Sequence, residues 1–289
     1  HFDGQDILEA GSGLDVPDGL IRDGWLNRLL QALPGASSET AYAIGLDQLK
    51  VIAGAAPVRQ WNPNARVDID AQSQRLLEGL YESDPLFHAA ANEAFALAET
   101  LTVSEDDAGD GMMAGGMAAD AKGLPAAARL ASFAAERLRG DSRIAAFSIN
   151  GWDTHRNQAR VLHGRLDALA TTLTTLEDRL GADVWSKTTV LAMTEFGRTV
   201  RENGTAGTDH GTGGAMLLAG GAVRGGRVLA DWPGLDEGSL YQGRDLLPTR
   251  DVRAYAAWAM HGLFGFERSL VETTVFPGLD MGDDPGVLL

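Results

Sequence analysis

Residues 144–155 read Ile144-Ala145-Ala146-Phe147-Ser148-Ile149-Asn150-Gly151-Trp152-Asp153-Thr154-His155, so a largely apolar run passes directly into a polar one. The apolar part, residues 144–149, has the length and composition of a buried strand. Helical patterns flank it at residues 125–139 and 156–180, and Gly181 is expected to end the second helix. Because strands and helices alternate in this way, we predict an α/β fold. Its sheet is expected to be largely parallel and covered by helices on both faces.

The same periodicity predicts further elements along the chain. Asp18 is expected to cap a helix that Pro34-Gly35 stops. Predicted helices span residues 18–33, 71–81, 85–101 and 249–264, and predicted strands span residues 42–44, 49–53, 188–193, 215–219 and 226–230. Residues 104–122 are rich in Asp, Gly, Met and Ala and predict a flexible connector, with a methionine-lined lid as the alternative. We treat residues 1–289 as a single domain.

The charge balance limits the partners of this chain. A formal net charge of -16 repels phosphate backbones and anionic lipid, which argues against nucleic-acid or membrane-surface binding. A local cation can still reverse the field inside one pocket, so an anionic small molecule is allowed. No cysteine occurs, so a metal site must use Asp, Glu, His or hydroxyl ligands. No stretch is apolar and long enough to cross a bilayer, and a start at His1 without Met predicts a processed or partial chain.

Two polar clusters directly follow the predicted strands 144–149 and 188–193, and a third, residues 207–214, directly precedes the next predicted strand. Their chemically active members are Asp153, His155, Glu195, Arg198, Asp209 and His210. Strand carboxyl ends meet at one edge of a parallel sheet, so we expect the first two clusters to lie together there, and the third to complete the same site. Carboxylates and imidazoles without a thiolate suit one or two divalent cations, namely zinc, manganese, magnesium or calcium.

Each cluster also has a purely structural interpretation. Asp153 is placed to cap the helix that follows, with His155 in its first turn. Glu195 and Arg198 are spaced for an ion pair. A plain turn is the less favoured interpretation of Asp209-His210, since a turn needs no histidine. The remaining histidines are interpreted as structural or solvent-exposed: His88, His163 and His261.

These clusters resemble the motifs of the bacterial family called domain of unknown function 1501. The similar segments are Gly151-Trp152-Asp153-Thr154-His155, Thr194-Glu195-Phe196-Gly197-Arg198-Thr199 and Gly207-Thr208-Asp209-His210-Gly211. The opening His1-Phe2-Asp3-Gly4-Gln5-Asp6 resembles the family's Ser-His-Phe-Asp-x-Gln-Asp segment. Its C-terminal signature is similar to Gly243-Arg244-Asp245-Leu246 and Thr249-Arg250-Asp251-Val252-Arg253. The motifs occur in the family's order over nearly the whole chain.

The resemblance extends to the alkaline phosphatase and sulfatase superfamily, with which this family is grouped. Members of that superfamily hydrolyse phosphate or sulfate esters at a site of one or two metals. The resemblance therefore implies a doubly wound α/β/α sandwich with an alkaline phosphatase-like fold and a metal site at the strand carboxyl ends. Many family members carry a twin-arginine export signal, which implies a periplasmic or exported protein.

The metal ligands implied by the superfamily follow two alignments. In one, Asp153 and His155 resemble its Asp-plus-His pair, and Asp209-His210-Gly211 resembles its Asp-His-Gly motif. In the other, Thr194-Glu195 occupies that strand end and His210 is the last ligand. The superfamily's first metal-binding Asp and the family serine would both precede His1, so the nucleophile is expected upstream of this chain.

The leading hypothesis from the sequence is a metal-dependent hydrolase of a small phosphate or sulfate ester. Arg198 is its candidate catalytic charge, because a planar guanidinium matches the non-bridging oxygens of such an ester. His1, Asp3 and Trp152 lie inside the matched motifs and are candidate substrate contacts. The alternatives are an exported binding or scaffold protein that has lost turnover on the same fold, and a purely structural calcium site. The oligomeric state is left open.

Overall fold

The computed structural model describes residues 2–13, 22–45, 48–62 and 125–289. His1 and Asp18 lie outside these residues. So do the predicted helices at 71–81 and 85–101 and the predicted connector at 104–122.

A three-stranded parallel sheet organises the described core. Strand β1 (Ala41–Ile44) pairs with β2 (Arg59–Trp61) on one side and with β3 (Ile144–Ala146) on the other. Tyr42 lies opposite Arg59 in the first ladder and opposite Ala145 in the second. All of β1 is buried, as expected for the middle strand of such a sheet. The predicted strands at 42–44 and 144–149 are confirmed, although the second ends three residues early.

Helices pack on both faces of this sheet, as the sequence predicts. The described helices are α1 (Phe2–Ala10), α2 (Trp25–Ala32), α3 (Ala126–Arg139), α4 (Gln158–Trp185), α5 (Val252–Phe264) and the short α6 (Arg268–Leu270), which a π-helical turn (Val271–Val275) continues. Tyr42 and Ile44 pack against α3 and α4. Ala41 and Ala43 pack against α2, α5 and the π-helical turn. Alternate strand residues face opposite sides, so β1 contributes to two separate apolar clusters. The mixed α/β class is therefore confirmed.

Glycines determine two helix boundaries. The predicted helix at 18–33 is helical only from Trp25 among the described residues, because Gly24 lies against the chain at Lys50. A Cβ on Gly24 would be 1.9 Å from the Lys50 carbonyl oxygen. The regular part of α4 ends at Gly181, as predicted, where φ is 70° and ψ is 166°, and a short helical continuation follows.

The sheet is less extensively parallel than the sequence predicts. Strand β4 (Val190–Ala192) pairs antiparallel with β7 (Leu217–Ala219), and the two-residue strands β5 (Gly197–Arg198) and β6 (His210–Gly211) form an antiparallel hairpin between them. Parallel pairing needs a crossover, usually a helix, whereas antiparallel strands need only a turn. The chain between β4 and β7 contains no helix. The prediction that β3 and β4 share one parallel sheet is therefore wrong for the described pairings.

Two other predicted strands are wrong. Residues 49–53 contain the 3₁₀ helix Lys50–Ile52, because side chains rather than a neighbouring strand satisfy this backbone. Asn27 Nδ2 donates to the Ile52 carbonyl at 2.9 Å, and the Val51 N–H donates to Glu9 Oε2 at 2.8 Å. Residues 226–230 form no ladder: they are exposed, and Val228 is 92% exposed.

Arg28 on α2 joins three parts of the fold through backbone carbonyls. Its Nη2 donates to Ala10 at 2.6 Å, at the end of α1, and its Nε donates to Thr274 and Val275 at 3.0 Å. Burial lowers the pKa of Arg28, but guanidinium remains charged at neutral pH. This bonding places α1 beside α2 and the π-helical turn. Among the described residues, no helix is both long and apolar enough to cross a membrane.

Replacing Asp251 is expected to destabilise the protein in a pH-dependent way. Asp251 is the N-cap of α5, accepting from the Arg253 N–H at 2.9 Å, and it pairs with the Arg253 guanidinium at 2.6 Å. Partial burial acts to raise the pKa of Asp251, but the bonds from Arg253 outweigh it and lower the pKa. Asp251→Ala should reduce the free energy of unfolding by about 1 kcal/mol at pH 7, measured by urea denaturation.

The pH dependence has a definite sign. Because the folded pKa is lowered, the stabilising contribution is complete above the unfolded value of about 3.9 and is lost as the pH falls below it. Asp251→Asn should keep the cap but lose this dependence. Asp283→Ala removes an exposed carboxylate elsewhere and should change neither quantity. Equal stability of Asp251→Ala and wild type at pH 7 would contradict the assignment.

Candidate metal site

The site lies between the loop that follows β3 and the β5–β6 hairpin. Asp153 and His155 belong to the loop, and His210 belongs to β6, where it lies directly opposite Arg198 on β5. Opposite residues of an antiparallel pair project to the same face, so Arg198 and His210 both reach the loop. The loop is not a helix cap, because α4 begins only at Gln158, after Asn157. The interpretation of Asp153 as a helix cap is therefore wrong.

Asp153, His155 and His210 bring three possible ligand atoms together. The Nε2 atoms of the two imidazoles are 3.0 Å apart. Asp153 Oδ1 lies 3.0 Å from Nε2 of His155 and 2.9 Å from Nε2 of His210. Their side chains are between 38% and 44% exposed, so the triangle opens to solvent. Among the described residues, this is the group of histidine and acidic side chains that is arranged to hold a metal ion.

The geometry of this triangle fits a cation. Ligands of a tetrahedral zinc ion with bonds of about 2.0–2.2 Å lie about 3.3 Å apart, close to the separations found here. When Asp209 accepts the Nδ1 proton of neutral His155, Nε2 of that ring carries a lone pair and faces the Asp153 oxygen. Two acceptors at 3.0 Å repel each other unless a metal ion or an additional proton lies between them. The donor set thus suits a metal ion.

Asp209 lies behind this triangle rather than in it. Its Oδ1 is 3.2 Å from Nδ1 of His155 and accepts from Asn203 Nδ2 at 3.0 Å. Carboxylates in this position orient metal-binding histidines and fix their tautomer. Asn203 also donates to the His155 carbonyl at 3.1 Å, and Thr205 Oγ1 donates to the same oxygen at 2.6 Å. The loop around Asn203 therefore holds both the backbone and the ring of His155.

Arg198 positions the Asp153 carboxylate. Its Nη1 donates to Asp153 Oδ1, its Nε donates to Thr208 Oγ1 at 2.8 Å, and its Nη2 donates to the Thr208 carbonyl. Thr208 Oγ1 in turn donates to Gln158 Oε1 at 2.6 Å, at the start of α4. Three guanidinium donors thus engage this chain's own acceptors. The role of Arg198 as the catalytic charge against an ester stays a prediction.

Both carboxylates of the site are ionised at neutral pH. Partial burial acts to raise the pKa of Asp153, but hydrogen bonds from Arg198 and His210 and the electrostatic effect of both imidazoles hold it below its ordinary value. Hydrogen bonds from Asn203 and then His155 lower the pKa of Asp209. An ionised carboxylate is the form that binds metal ions and orients imidazoles.

The other predicted residues lie beside the triangle or away from it. Glu195 is not a member of the three-residue group. It lies against α1, where a Cβ on Gly4 would be 3.4 Å from the Glu195 carbonyl oxygen. Asp3 is exposed on the same helix, and Trp152 is half-buried directly before Asp153. Their roles as ligand or substrate contacts stay predictions.

Neutral residues that were not predicted from the sequence hold the charged ones in place. Phe196 stacks on the His210 ring with a centroid separation of 3.9 Å. Thr208 and Gln158 join Arg198 to α4, and Asn203 holds Asp209. Of these four residues, Phe196 and Thr208 lie in segments that resemble family motifs, and that resemblance could have indicated their role. Asn203 and Gln158 have no local pattern that marks them.

A matched pair of glycines in one loop tests this arrangement. A Cβ on Gly207 would lie 2.3 Å from the His155 carbonyl oxygen, whereas a Cβ on Gly204 would meet nothing within 4 Å. Gly207→Ala should displace the loop from His155 and weaken zinc binding by about 10-fold or more, because second-layer support is worth that much. Gly204→Ala should bind zinc like wild type. Calorimetric titration with zinc measures both, and equal affinity of the two variants would contradict the close approach.

The comparisons with known proteins agree with the motif resemblance described above. No curated protein and no solved structure was found to match the chain. Residues 9–254 match the family described as "Protein of unknown function (DUF1501)". Because this match covers well over half of the sequence, the chain belongs to the DUF1501 family.

Proposed function

We propose that this protein is a metal-dependent hydrolase of phosphate or sulfate esters, with a divalent cation held by Asp153, His155 and His210. The convergence of three ligand atoms within 4.8 Å of one another, with a carboxylate behind one imidazole, supports the proposal most directly. The kinship with the alkaline phosphatase and sulfatase superfamily, its fold and the exported location belong to the same proposal.

The ligand types favour zinc among the four cations considered. Magnesium and calcium prefer oxygen ligands, whereas imidazole nitrogen suits zinc and the neighbouring transition metals. Two imidazoles and one carboxylate are the protein ligands of several catalytic zinc sites, which keep a further position for water or substrate. The solvent-exposed opening of the triangle provides room for such a ligand.

The chain's own residues would orient the ligands and set the charge of the site. A bound zinc ion supplies a Lewis acid and lowers the pKa of a coordinated water. Asp209 holds the His155 ring through Nδ1, so that Nε2 faces inward. Arg198 fixes the Asp153 carboxylate and partly neutralises it. Phe196 packs on the His210 ring and restricts its rotation.

A second proposal is a binding or scaffold protein that keeps the cation site but has no turnover. One observation favours it: the Nε, Nη1 and Nη2 atoms of Arg198, the candidate catalytic charge, each donate to Asp153 or Thr208 of this chain. Binding without hydrolysis needs only the cation and an open position.

Removal of either histidine should remove zinc. His155→Ala and His210→Ala each delete one ligand of the triangle and should weaken zinc binding by more than about 100-fold, beyond the loss expected for a supporting residue. Asp209→Asn should weaken it by about 10- to 100-fold, because it removes support rather than a ligand. His163→Ala is the control, since His163 is 80% exposed on α4, where it pairs with Asp167. Elemental analysis and zinc titration measure these effects, with circular dichroism as the test of folding. Full zinc content in a folded His155→Ala or His210→Ala protein would rule out the site.

An activity assay separates the two proposals. The zinc-loaded protein is expected to hydrolyse an aryl phosphate or an aryl sulfate, with the rate lost in His210→Ala and retained in His163→Ala. The assay is repeated with manganese, magnesium and calcium, for which the ligand types predict lower activity. Zinc binding without hydrolysis of either ester under any of these metals would support the binding protein instead.

A further inference from the structure

The Gly243-Arg244-Asp245 segment packs directly on the hairpin that carries His210. Asp245 forms an antiparallel bridge with Thr199, the residue after β5. The Val200 N–H donates to the Arg244 carbonyl at 3.1 Å, and the Gly213 N–H donates to the Leu246 carbonyl at 3.0 Å. The segment is therefore bonded to the chain directly after β5 and directly after β6.

A tight turn fixes the backbone position from which the Arg244 side chain projects. The Arg244 N–H donates to the Tyr241 carbonyl at 3.1 Å, which closes a turn of four residues. Both central residues have positive φ, 52° for Gln242 and 66° for Gly243. Glycine adopts this conformation freely, but glutamine does so at a cost that the surrounding structure must offset. The surrounding fold thus fixes the backbone conformation of the turn that leads into Arg244.

The Arg244 guanidinium is held rigidly and remains open to solvent. Its Nε and Nη2 donate to the two oxygens of Asp245 at 2.8 and 3.2 Å, and the Asp245 side chain is only 3% exposed. Nη2 also lies 3.4 Å from the His210 carbonyl oxygen. The Arg244 side chain is nevertheless 63% exposed. Among the described residues, none accepts a hydrogen bond from its Nη1.

The two arginines of the site differ in their availability. The side chain of Arg198 is 22% exposed, and its donors are directed to Asp153 and Thr208. Arg244 has one carboxylate partner, on the face away from solvent, and keeps donors for a ligand. Asp245 raises the pKa of Arg244, and Asp209 adds a weaker contribution of the same sign, so both carboxylates act on this guanidinium.

We propose that Arg244 binds the oxyanion of the ester, its phosphoryl or sulfuryl oxygens, while the cation site holds the same group from the other side. This inference rests on the proposed function. A guanidinium fixed by a buried carboxylate presents its remaining donors in a plane that matches two oxygens of a tetrahedral anion. A rigid arginine also loses little conformational freedom when the anion binds. Arg244 is then a substrate-binding residue that discriminates anionic esters from neutral ones.

Inorganic phosphate and inorganic sulfate are suitable probes of this role. The protein is loaded with one equivalent of zinc, freed of excess metal and titrated calorimetrically with each anion. Arg244→Lys keeps a positive charge beside Asp245, so the buried carboxylate still has a cationic partner. It lacks the planar guanidinium group, which is the feature expected to bind the anion. It should bind zinc normally and phosphate about 10-fold more weakly, the loss expected for one charge-assisted hydrogen bond. Arg244→Ala should bind phosphate more weakly still.

Arg250→Lys is a matched control. Arg250 pairs with Asp231 through Nε at 2.6 Å and Nη2 at 3.2 Å, the same two-point geometry, and its side chain is 49% exposed. No contact joins it to the metal-site residues among the described bonds. It should leave zinc and phosphate affinities unchanged.

Each outcome bears on the inference differently. Phosphate and sulfate affinities of Arg244→Lys equal to those of wild type, with zinc retained, would overturn the inference and leave the proposed function standing. Loss of zinc from a folded Arg244→Lys protein would also overturn it, because Arg244 would then support the hairpin instead. Zinc-loaded wild type that binds neither anion would overturn the inference and the anionic-ester proposal together.

Discussion

The Asp153 carboxylate is the interaction on which the candidate site depends. Its Oδ1 accepts a hydrogen bond from Arg198 Nη1 and lies within 3.0 Å of Nε2 of both His155 and His210. This one oxygen therefore connects the loop after the parallel sheet to the separate antiparallel hairpin. Without it, no hydrogen bond among the described residues would hold the His210 ring to the loop except its contact with His155.

Glycines make this connection sterically possible. A Cβ would lie 1.7 Å from the Gly213 carbonyl oxygen if placed on Gly197, and 2.6 Å from the Arg198 backbone if placed on Gly211. The hairpin strands and the chain that crosses them thus approach more closely than any side chain permits. The glycines around Asp209-His210 are a packing requirement of the site, and they explain why a polar pair lies in so glycine-rich a segment.

The sequence predicted Asp153, His155 and His210 among five candidate metal ligands, but the strand pairing expected to unite the site was partly wrong. The apolar run at 144–149 and the polar residues after it predicted the strand and the position of Asp153 and His155. Arg198 was expected beside them through parallel pairing, yet it lies with His210 in the antiparallel β5–β6 hairpin, whose two-residue strands are too short to show an alternating pattern. The sequence also could not indicate that Asp209 contacts Nδ1 of His155 instead of belonging to the three-residue group. This arrangement depends on Asn203, whose amide fixes Asp209 against Nδ1 of His155, and no local pattern encodes that contact.

The sign of the local field links the cation to the substrate class. Asp153 and Asp209 are both ionised, and Arg198 neutralises only one of them, while Arg244 is balanced by Asp245. With both imidazoles neutral, Asp153, Asp209 and Arg198 together therefore carry a formal negative charge, like the chain as a whole with its net charge of -16. A divalent cation between the ligand atoms would reverse that sign locally and so favour the binding of an anion. Metal and anion binding should consequently be positively coupled, so that each increases the affinity of the other by the same factor.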